Sequence, residues 1–336
     1  MKQIKKNFCV VAIISLFTIL TACGTVNSSK ETKNEQSSIE LELEEEIQTF
    51  QAGDFEGYMN FIANVENFEP CYRTVFAFEN VQGGIKDVPI EEVNAMYREI
   101  EDEFDYILIN EHFLSYHGDY NKGVYKGNTS FVYGYEAYEA ANGSISNPIN
   151  FKDVDWEGNE FTSTSLKAIQ LGQGIYKRFV EDVAEGRNLQ QSDFILKSPD
   201  DLIKVVLGNK YKELFKIGDT FSLDFDKVMN FQVVGFYKPD ISFSMDIGAQ
   251  HKVNFDCAIV MPHLIFDYKP TDEGSRFQQG FLTGEKLSGY IAINESTKEI
   301  NEDTYKEYTE KLEKIANKHG ISGLYKVPYW PVGFVW

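Results

Sequence analysis

The chain reads as an α+β protein of mixed sheets with βαβ-type subdomains, and three observations carry that reading. Short β-rich runs alternate with runs at helical spacing. A helix feeding a strand recurs along the chain, which is how sheet-and-helix layers are assembled. At 336 residues, 43% apolar and 14% aromatic, the chain has ample material for a core, and intrinsic disorder is excluded for most of it.

Taken in order, Tyr72–Phe78 (YRTVFAF) reads as a strand. Ile90–Phe104 places Val93, Met96, Tyr97, Ile100 and Phe104 on one helical stripe, and Tyr106–Ile109 follows as a strand. Phe131–Tyr138 (FVYGYEAY) puts aromatics on both faces of a strand candidate. Leu166–Leu171 is extended and Ile175–Ala184 is helical, with Glu185-Gly186-Arg187 closing that helix. Ile203–Leu207 (IKVVL) is a buried strand, and Gly208–Phe215 is a short helix with Tyr211, Leu214 and Phe215 inward. Phe221–Phe225 and Phe231–Tyr237 alternate like an antiparallel pair. The last clear helix runs from Glu302 to Lys318, with Tyr305, Tyr308, Leu312 and Ile315 on one stripe and Gly320 as its stop. Val327–Pro331 then breaks the regularity.

The front of the chain speaks of location. Lys2, Lys5 and Lys6 precede an uncharged, mostly apolar run from Phe8 to Ala22 that is too short to span a bilayer. Leu20-Thr21-Ala22-Cys23 ends it like a lipobox. This segment resembles a bacterial lipoprotein signal. The resemblance implies cleavage before Cys23, a diacylglyceryl group on the Cys23 thiol, and further acylation (palmitate or similar) at the new amino terminus, enough to hold a protein at a membrane. Residues 1–22 are then signal peptide and 23–38 a lipidated flexible tether. Residues 39–336 form an extracytoplasmic body of one domain or two subdomains. The expected location is the cell membrane, lipid-anchored on the extracytoplasmic face. In the body, Ser37 or Ser38 caps a helix from Ile39 to Phe50 whose Glu40–Glu46 run is a solvated face.

Charge narrows the partners. The 52 acidic residues outnumber the 32 basic ones for a net charge of −20, and removing Lys2, Lys5 and Lys6 with the signal leaves −23. Such a surface repels phosphate backbones and anionic headgroups, which excludes nucleic acid, and it favours solubility, cation association or docking on a basic protein face. Once Cys9 leaves and Cys23 takes lipid, Cys71 and Cys257 remain. The compartment permits a disulfide, and sequence leaves open whether they meet.

From Glu185 to Pro239 a chain of signals follows at short intervals. Glu185-Gly186-Arg187, Asp193, Val205-Val206-Leu207-Gly208, Tyr211–Phe215, Ile217-Gly218-Asp219-Thr220 and Phe231-Gln232-Val233-Val234-Gly235-Phe236 make up the pattern. It resembles the extracytoplasmic core domain of MacB-like and FtsX-like ABC transporter permeases. Gly186, Arg187, Gly208, Gly218, Asp219 and Gly235 are its structural motif residues: glycines for positive φ or close backbone approach, Asp219 to bond its own turn. The resemblance implies a body that stands on the outer membrane face and transmits conformational change or receives cargo. The chain departs from that family in having a lipobox in front and no set of spanning helices. The expectation is therefore a non-enzymatic interaction or accessory module of an ABC transporter or permease-type system, docking on an ABC permease or envelope protein. The alternative is a substrate-binding lipoprotein for peptide, glycan or cation.

Chemistry-bearing motifs are sparse. Glu111, His112, His117 and Asp119 invite a metal, yet His112 and His117 are five apart and fall on opposite faces of a strand, so solvated or hydrogen-bonded histidines are expected. Asp153–Glu160 (DVDWEGNE) has glycine sixth, as a calcium loop wants, but Thr164 twelfth; a polar surface turn is expected, with weak calcium binding left open. Cys257 has His251 and His263 six residues to either side but sits in a run that reads as a buried strand, where a thiol is inert. Gly172-Gln173-Gly174 lacks the third glycine of a dinucleotide loop. No cofactor and no metal are expected. Tyr329, Trp330, Phe334 and Trp336 crowd the terminus as core or as an aromatic binding surface.

Overall fold

The computed structural model describes residues 68–76, 88–144, 149–155, 158–245, 251–293, 302–321, 325–326 and 331–335, all within the unit Phe50–Trp336. The signal, the tether with Cys23, the acidic run at Ile39–Phe50, and Tyr329, Trp330 and Trp336 lie outside them. In chain order come β1 (Phe68–Arg73), β2 (Val75–Phe76), helix α1 (Ile90–Glu103), β3 (Tyr106–Ile107) and β4 (Ile109–His117). Helix α2 (Tyr135–Ala140), β5 (Phe151–Val154), β6 (Glu160–Leu171), β7 (Val183–Gly186), β8 (Ile195–Leu196) and β9 (Ile203–Leu207) follow. Then come β10 (Thr220–Phe225), β11 (Lys227–Tyr237), β12 (Ser242–Met245), β13 (His251–Asn254), β14 (Ile259–Pro262) and β15 (Ile265–Phe266). Helix α3 (Glu273–Gly284), β16 (Tyr290–Ala292), helix α4 (Glu302–Lys318), β17 (Tyr325–Lys326) and β18 (Pro331–Val335) complete the unit. The mixture of helices and several sheets is α+β.

The largest sheet closes on itself. β4 pairs β6, β6 pairs β14, β14 pairs β9, β9 pairs β11, β11 pairs β10, and β10 returns to β4 through Asp224 opposite Ser115. Two of these pairings are parallel, β6 with β14 and β9 with β11, so the barrel is mixed. Closure removes the exposed edges that an open sheet of this size would carry. The length of β6 follows from its neighbours: one side runs along β4, while the other is shared by β5 at its start and β14 at its end.

Period-two alternation assigns the two faces of the barrel wall. Leu114, Leu166, Ala168, Val205, Leu223, Phe231, Ile259 and Met261 share one core cluster, the barrel interior. Ile109, Ile169, Leu171, Val206, Val234 and Val260 turn outward into a second cluster with Cys71, Phe243, Val253 and Ala292. Those last residues belong to an antiparallel sheet of order β13-β12-β18-β1-β16-β3 that packs on the barrel. Its far face, through Tyr72, Tyr106 and Ile291, meets Val93, Met96 and Ile100 of α1 and Leu312 and Ile315 of α4 in a third cluster. The apolar stripes read from sequence are therefore the buried faces, and Gly320, at φ 69°, ends the turn after α4.

Two sequence expectations are corrected. Ile175–Ala184 is not a helix: a 3-10 turn, Tyr176–Phe179, is followed by β7, which pairs antiparallel with the end of β11. Ile175 and Phe179, four apart, both pack between barrel and sheet and so mimic a helical stripe, while Gly186 ends a strand rather than a helix. Phe131–Tyr138 is not a strand either. Asn128 caps a 3-10 turn, Thr129–Phe131, by accepting from the Ser130 N–H at 3.0 Å; Val132 makes one bridge to Leu166; and Gly134 at φ 73° starts α2.

Candidate functional site

The residues of the motif meet around β11. The register of β11 against β9 slips between Val233 and Gly235, leaving Val234 as a bulge whose carbonyl accepts from the Arg187 N–H at 3.0 Å. A side chain at Gly186, which has φ 76°, would place its Cβ 2.3 Å from that same carbonyl, and one at Gly235 would stand 2.3 Å from the Arg187 oxygen. Both glycines are there for close backbone approach. Arg187 then forks onto Asp193, Nη1 to Oδ2 at 2.6 Å and Nη2 to Oδ1 at 3.1 Å, and Asp193 Oδ2 also accepts from the Gln190 N–H at 2.8 Å. At the Gly218 turn (φ 91°), Asp219 Oδ2 accepts from the Lys216 N–H at 2.8 Å, and the Gly218 N–H donates to Val233 O at 2.8 Å. Gly208 lets the chain pass against the backbone of Phe255 and Asp256. All six motif residues hold backbone together.

A second constellation lies at the barrel end nearest α3 and was missed from sequence. Inward alternation on β4, β6 and β14 brings His112, Gln170 and, just past β14, His263 to the same end of the interior; Gln170 is cross-strand partner of Asn110 and Met261. Helix α3 covers this end with Phe281 and Leu282, and Phe281 stacks on His112 at 6.4 Å. Gln278 Nε2 donates to the Phe225 and Lys227 carbonyls at 2.8 and 3.0 Å, tying α3 to the turn where Asp226 adopts φ 60°. His112 is 5% exposed and His263 1% exposed. Burial alone pushes the His112 imidazole down to about 3. Burial, then the nearby Lys286 and His112, hold His263 well below the usual histidine range. Among the described residues no hydrogen-bond partner meets His112 Nε2, either His263 nitrogen, the Gln170 amide or Thr283 Oγ1. The expectation of solvated or hydrogen-bonded histidines is thus corrected for His112, because α3 seals what a bare strand would have exposed. The legible signal was alternation: His112 stands two before inward Leu114, and His263 two after Met261.

Lys286, in the 3-10 turn Glu285–Leu287 behind α3, is fully buried. Its Nζ donates to Asn94 Oδ1 at 2.7 Å and lies 5.8 Å over the Tyr97 ring. Burial, with Arg98 adding to it, brings its amine down to about 7 against the opposing pull of Glu101. The Tyr97 hydroxyl donates to Glu101, whose carboxyl is raised by burial. Glu101 in turn lines a shallow cleft of about 220 Å³ with Phe104, Asp105, Tyr176 and Lys177.

Another cleft, of about 290 Å³, is lined by Cys257 with Lys167, Lys210, Glu136, Glu139 and Asp256. Burial raises the Cys257 thiol, so it is a poor nucleophile, and it stands before β14 while His263 follows it. Cys71 and Cys257 are free thiols in two different cores, Cys71 between barrel and sheet and Cys257 inside the barrel, which closes the question of their bridging. His117 is exposed at the opposite face from His112 and packs on Phe161 at 4.0 Å; Asp119 bonds Lys122 and Asn150. Asp155, in the run considered for calcium, accepts from the Asn159 N–H and side chain at 2.8 and 2.9 Å, a self-contained turn. Residues 156–157 lie outside the described ones. Asp226 is brought up to about 7 by burial and then by Asp224 and Asp153. Among the described residues no group of three or more His, Cys, Asp or Glu is placed to hold a metal ion, and no helix is long and apolar enough to cross a membrane.

In comparisons with protein-family models, curated proteins and solved structures, nothing matches the chain.

Proposed function

We propose that the protein is a lipoprotein anchored through Cys23 on the extracytoplasmic face, and that it acts as a non-enzymatic interaction or accessory module of an ABC transporter or permease-type system. What carries this reading is the use to which the motif is put. Gly186, Arg187, Gly208, Gly218, Asp219 and Gly235, on which the likeness to MacB-like and FtsX-like core domains rests, all serve backbone closure around β9 and β11. The groups with displaced proton affinities, His112, His263 and Lys286, are buried beside α3 and line neither of the two clefts. The surface offers instead a strong acidic excess, suited to a basic partner face.

Crosslinking in intact cells followed by affinity recovery from membranes tests this. A permease or envelope protein is expected, in yields that fall as salt is raised. Recovery of none, or turnover of a small molecule by the purified protein, contradicts it. The 290 Å³ cleft beside Lys167 and Lys210 favours a second reading, capture of a small peptide, glycan or cation. That reading requires a ligand-dependent rise in melting temperature, which Lys210→Ala loses for a peptide or glycan and Glu139→Gln loses for a cation.

A further inference from the structure

We propose that α3 and the 3-10 turn behind it are a releasable plug in the barrel end, latched to α1 through the Lys286 side chain, and that release uncovers His112, Gln170 and His263. Three independent features support it. The helix itself is weak, since Gly274, Gly280 and Gly284 occupy three of its 12 positions and glycine is the poorest ordinary helix former. It is therefore held by its contacts: the Asp272 capping box with the Ser275 N–H at 2.9 Å, Gln278 on the Phe225 and Lys227 carbonyls, and the apolar side chains of Phe281 and Leu282.

The surface that the plug covers is the second feature. A permanent plug is expected to be apolar or fully hydrogen-bonded. Here the covered groups include two imidazoles and a carboxamide, and these, like the buried Thr283 hydroxyl of α3, meet no hydrogen-bond partner among the described residues. Opening would give each of them water or a hydrogen-bonding ligand, so the open state recovers what the closed one forgoes.

The third feature is the latch. Lys286 crosses from the plug to α1, where Asn94, Tyr97, Arg98 and Glu101 surround it. Its carbonyl accepts from the Tyr106 hydroxyl of β3 at 3.0 Å, His263 and His112 lie on its barrel side, and Glu285 precedes it. Nζ makes its donor bond to a neutral amide oxygen in a dry site, with no carboxylate among the described residues bonded to it, so the cost of burial works against the charged ammonium there. A proton that Lys286 takes up in water, at the usual lysine affinity, is resisted while the plug is shut. Opening therefore gains from acidification over the whole interval between the closed and free proton affinities, and levels off near pH 7 where the closed form is protonated too. Glu285, whose carboxyl is raised to about 8, works in the opposite direction only below that pH.

Hydrogen exchange read by mass spectrometry on the full chain tests the plug, with protection factors corrected for intrinsic rates. In the wild type, protection of the amides from Phe277 to Lys286 should fall about tenfold per pH unit from pH 10 to pH 8, while β11 amides keep theirs. Lys286→Met, of similar volume and without a titrating group, should hold protection level over that range. Lys286→Arg, which cannot lose its proton, should show the open level throughout. Equal protection of plug and β11 at every pH, a flat wild-type profile, or a slope that survives in Lys286→Met overturns the proposal. The wild-type profile alone decides the matter if neither variant folds.

Discussion

Two glycines of one motif should fail for different reasons and by different amounts when each is given a methyl group. Gly208 has an ordinary backbone, φ −63° and ψ 157°, so alanine there is not strained by conformation. Its Cβ would however stand 1.8 Å from the Phe255 carbonyl and 2.4 Å from that of Asp256. The loop must withdraw by at least 1.2 Å to bring the first contact to 3.0 Å. That withdrawal breaks the Gly208 N–H to Ala258 O bond, 3.0 Å, and the Lys210 N–H to Asp256 O bond, 3.1 Å. At about 1 kcal/mol per bond, and about 1–2 kcal/mol for overpacking beside Phe255 and Cys257, Gly208→Ala should lose about 3–4 kcal/mol. Gly218 is the reverse case: φ is 91° and nothing lies within 4 Å of the added carbon, so only the left-handed backbone is penalised, by about 1–2 kcal/mol. Urea unfolding followed by far-ultraviolet circular dichroism measures both. If Gly208→Ala costs no more than Gly218→Ala, close approach is not what keeps Gly208 a glycine.

Asp193→Ala removes the acceptor for the Arg187 fork and for the Gln190 N–H, and should destabilise by about 2 kcal/mol, the partly exposed guanidinium contributing least; a loss under half a kcal/mol would show the pair to be idle. His112, brought down to about 3, stays neutral in the folded chain while the unfolded chain takes a proton below about pH 6.5. Folded stability thus falls with pH from there toward 3. His112→Leu should flatten that fall by up to about 1.4 kcal/mol per pH unit, seen in urea midpoints at pH 6.5, 5.5 and 4.5. Cys71, free and fully buried, should react with a thiol reagent only on unfolding, and reductant should leave the melting temperature unmoved.

What sequence reveals and conceals here follows the range of the interactions involved. Helix α1 and the stripe of α4 are legible because one face of each packs on a sheet, which imprints a 3.6-residue period on adjacent residues. The alternating runs of β10 and β11 are legible but their turn is not: β10 pairs with Lys227–Gln232 around Asp226, so most of Phe231–Tyr237, read as its partner, lies along β9 and β7 instead. Barrel closure is not legible, since it rests on Asp224 facing Ser115, segments more than a hundred residues apart with no shared pattern. Ile175–Ala184 misleads because the same i, i+4 spacing serves a 3-10 turn packed on a sheet, and β7 extends only because the end of β11 offers it an edge. At the site the motif glycines are legible, for backbone proximity restricts residue type at a single position. Lys286 is not: in Glu285-Lys286-Leu287 nothing distinguishes it from a solvated lysine until α1 supplies Asn94 and Tyr97 from far along the chain.

Anchoring is the premise on which docking by contact depends, and labelled-palmitate incorporation into the wild type and Cys23→Ser addresses it most directly, with added protease reporting exposure on intact, wall-stripped cells. The wild type should carry label, stay with the membrane and be digested from outside, whereas Cys23→Ser should carry none. Label on both chains, or a labelled chain that protease reaches only after the membrane is broken, would contradict an outward-facing lipoprotein.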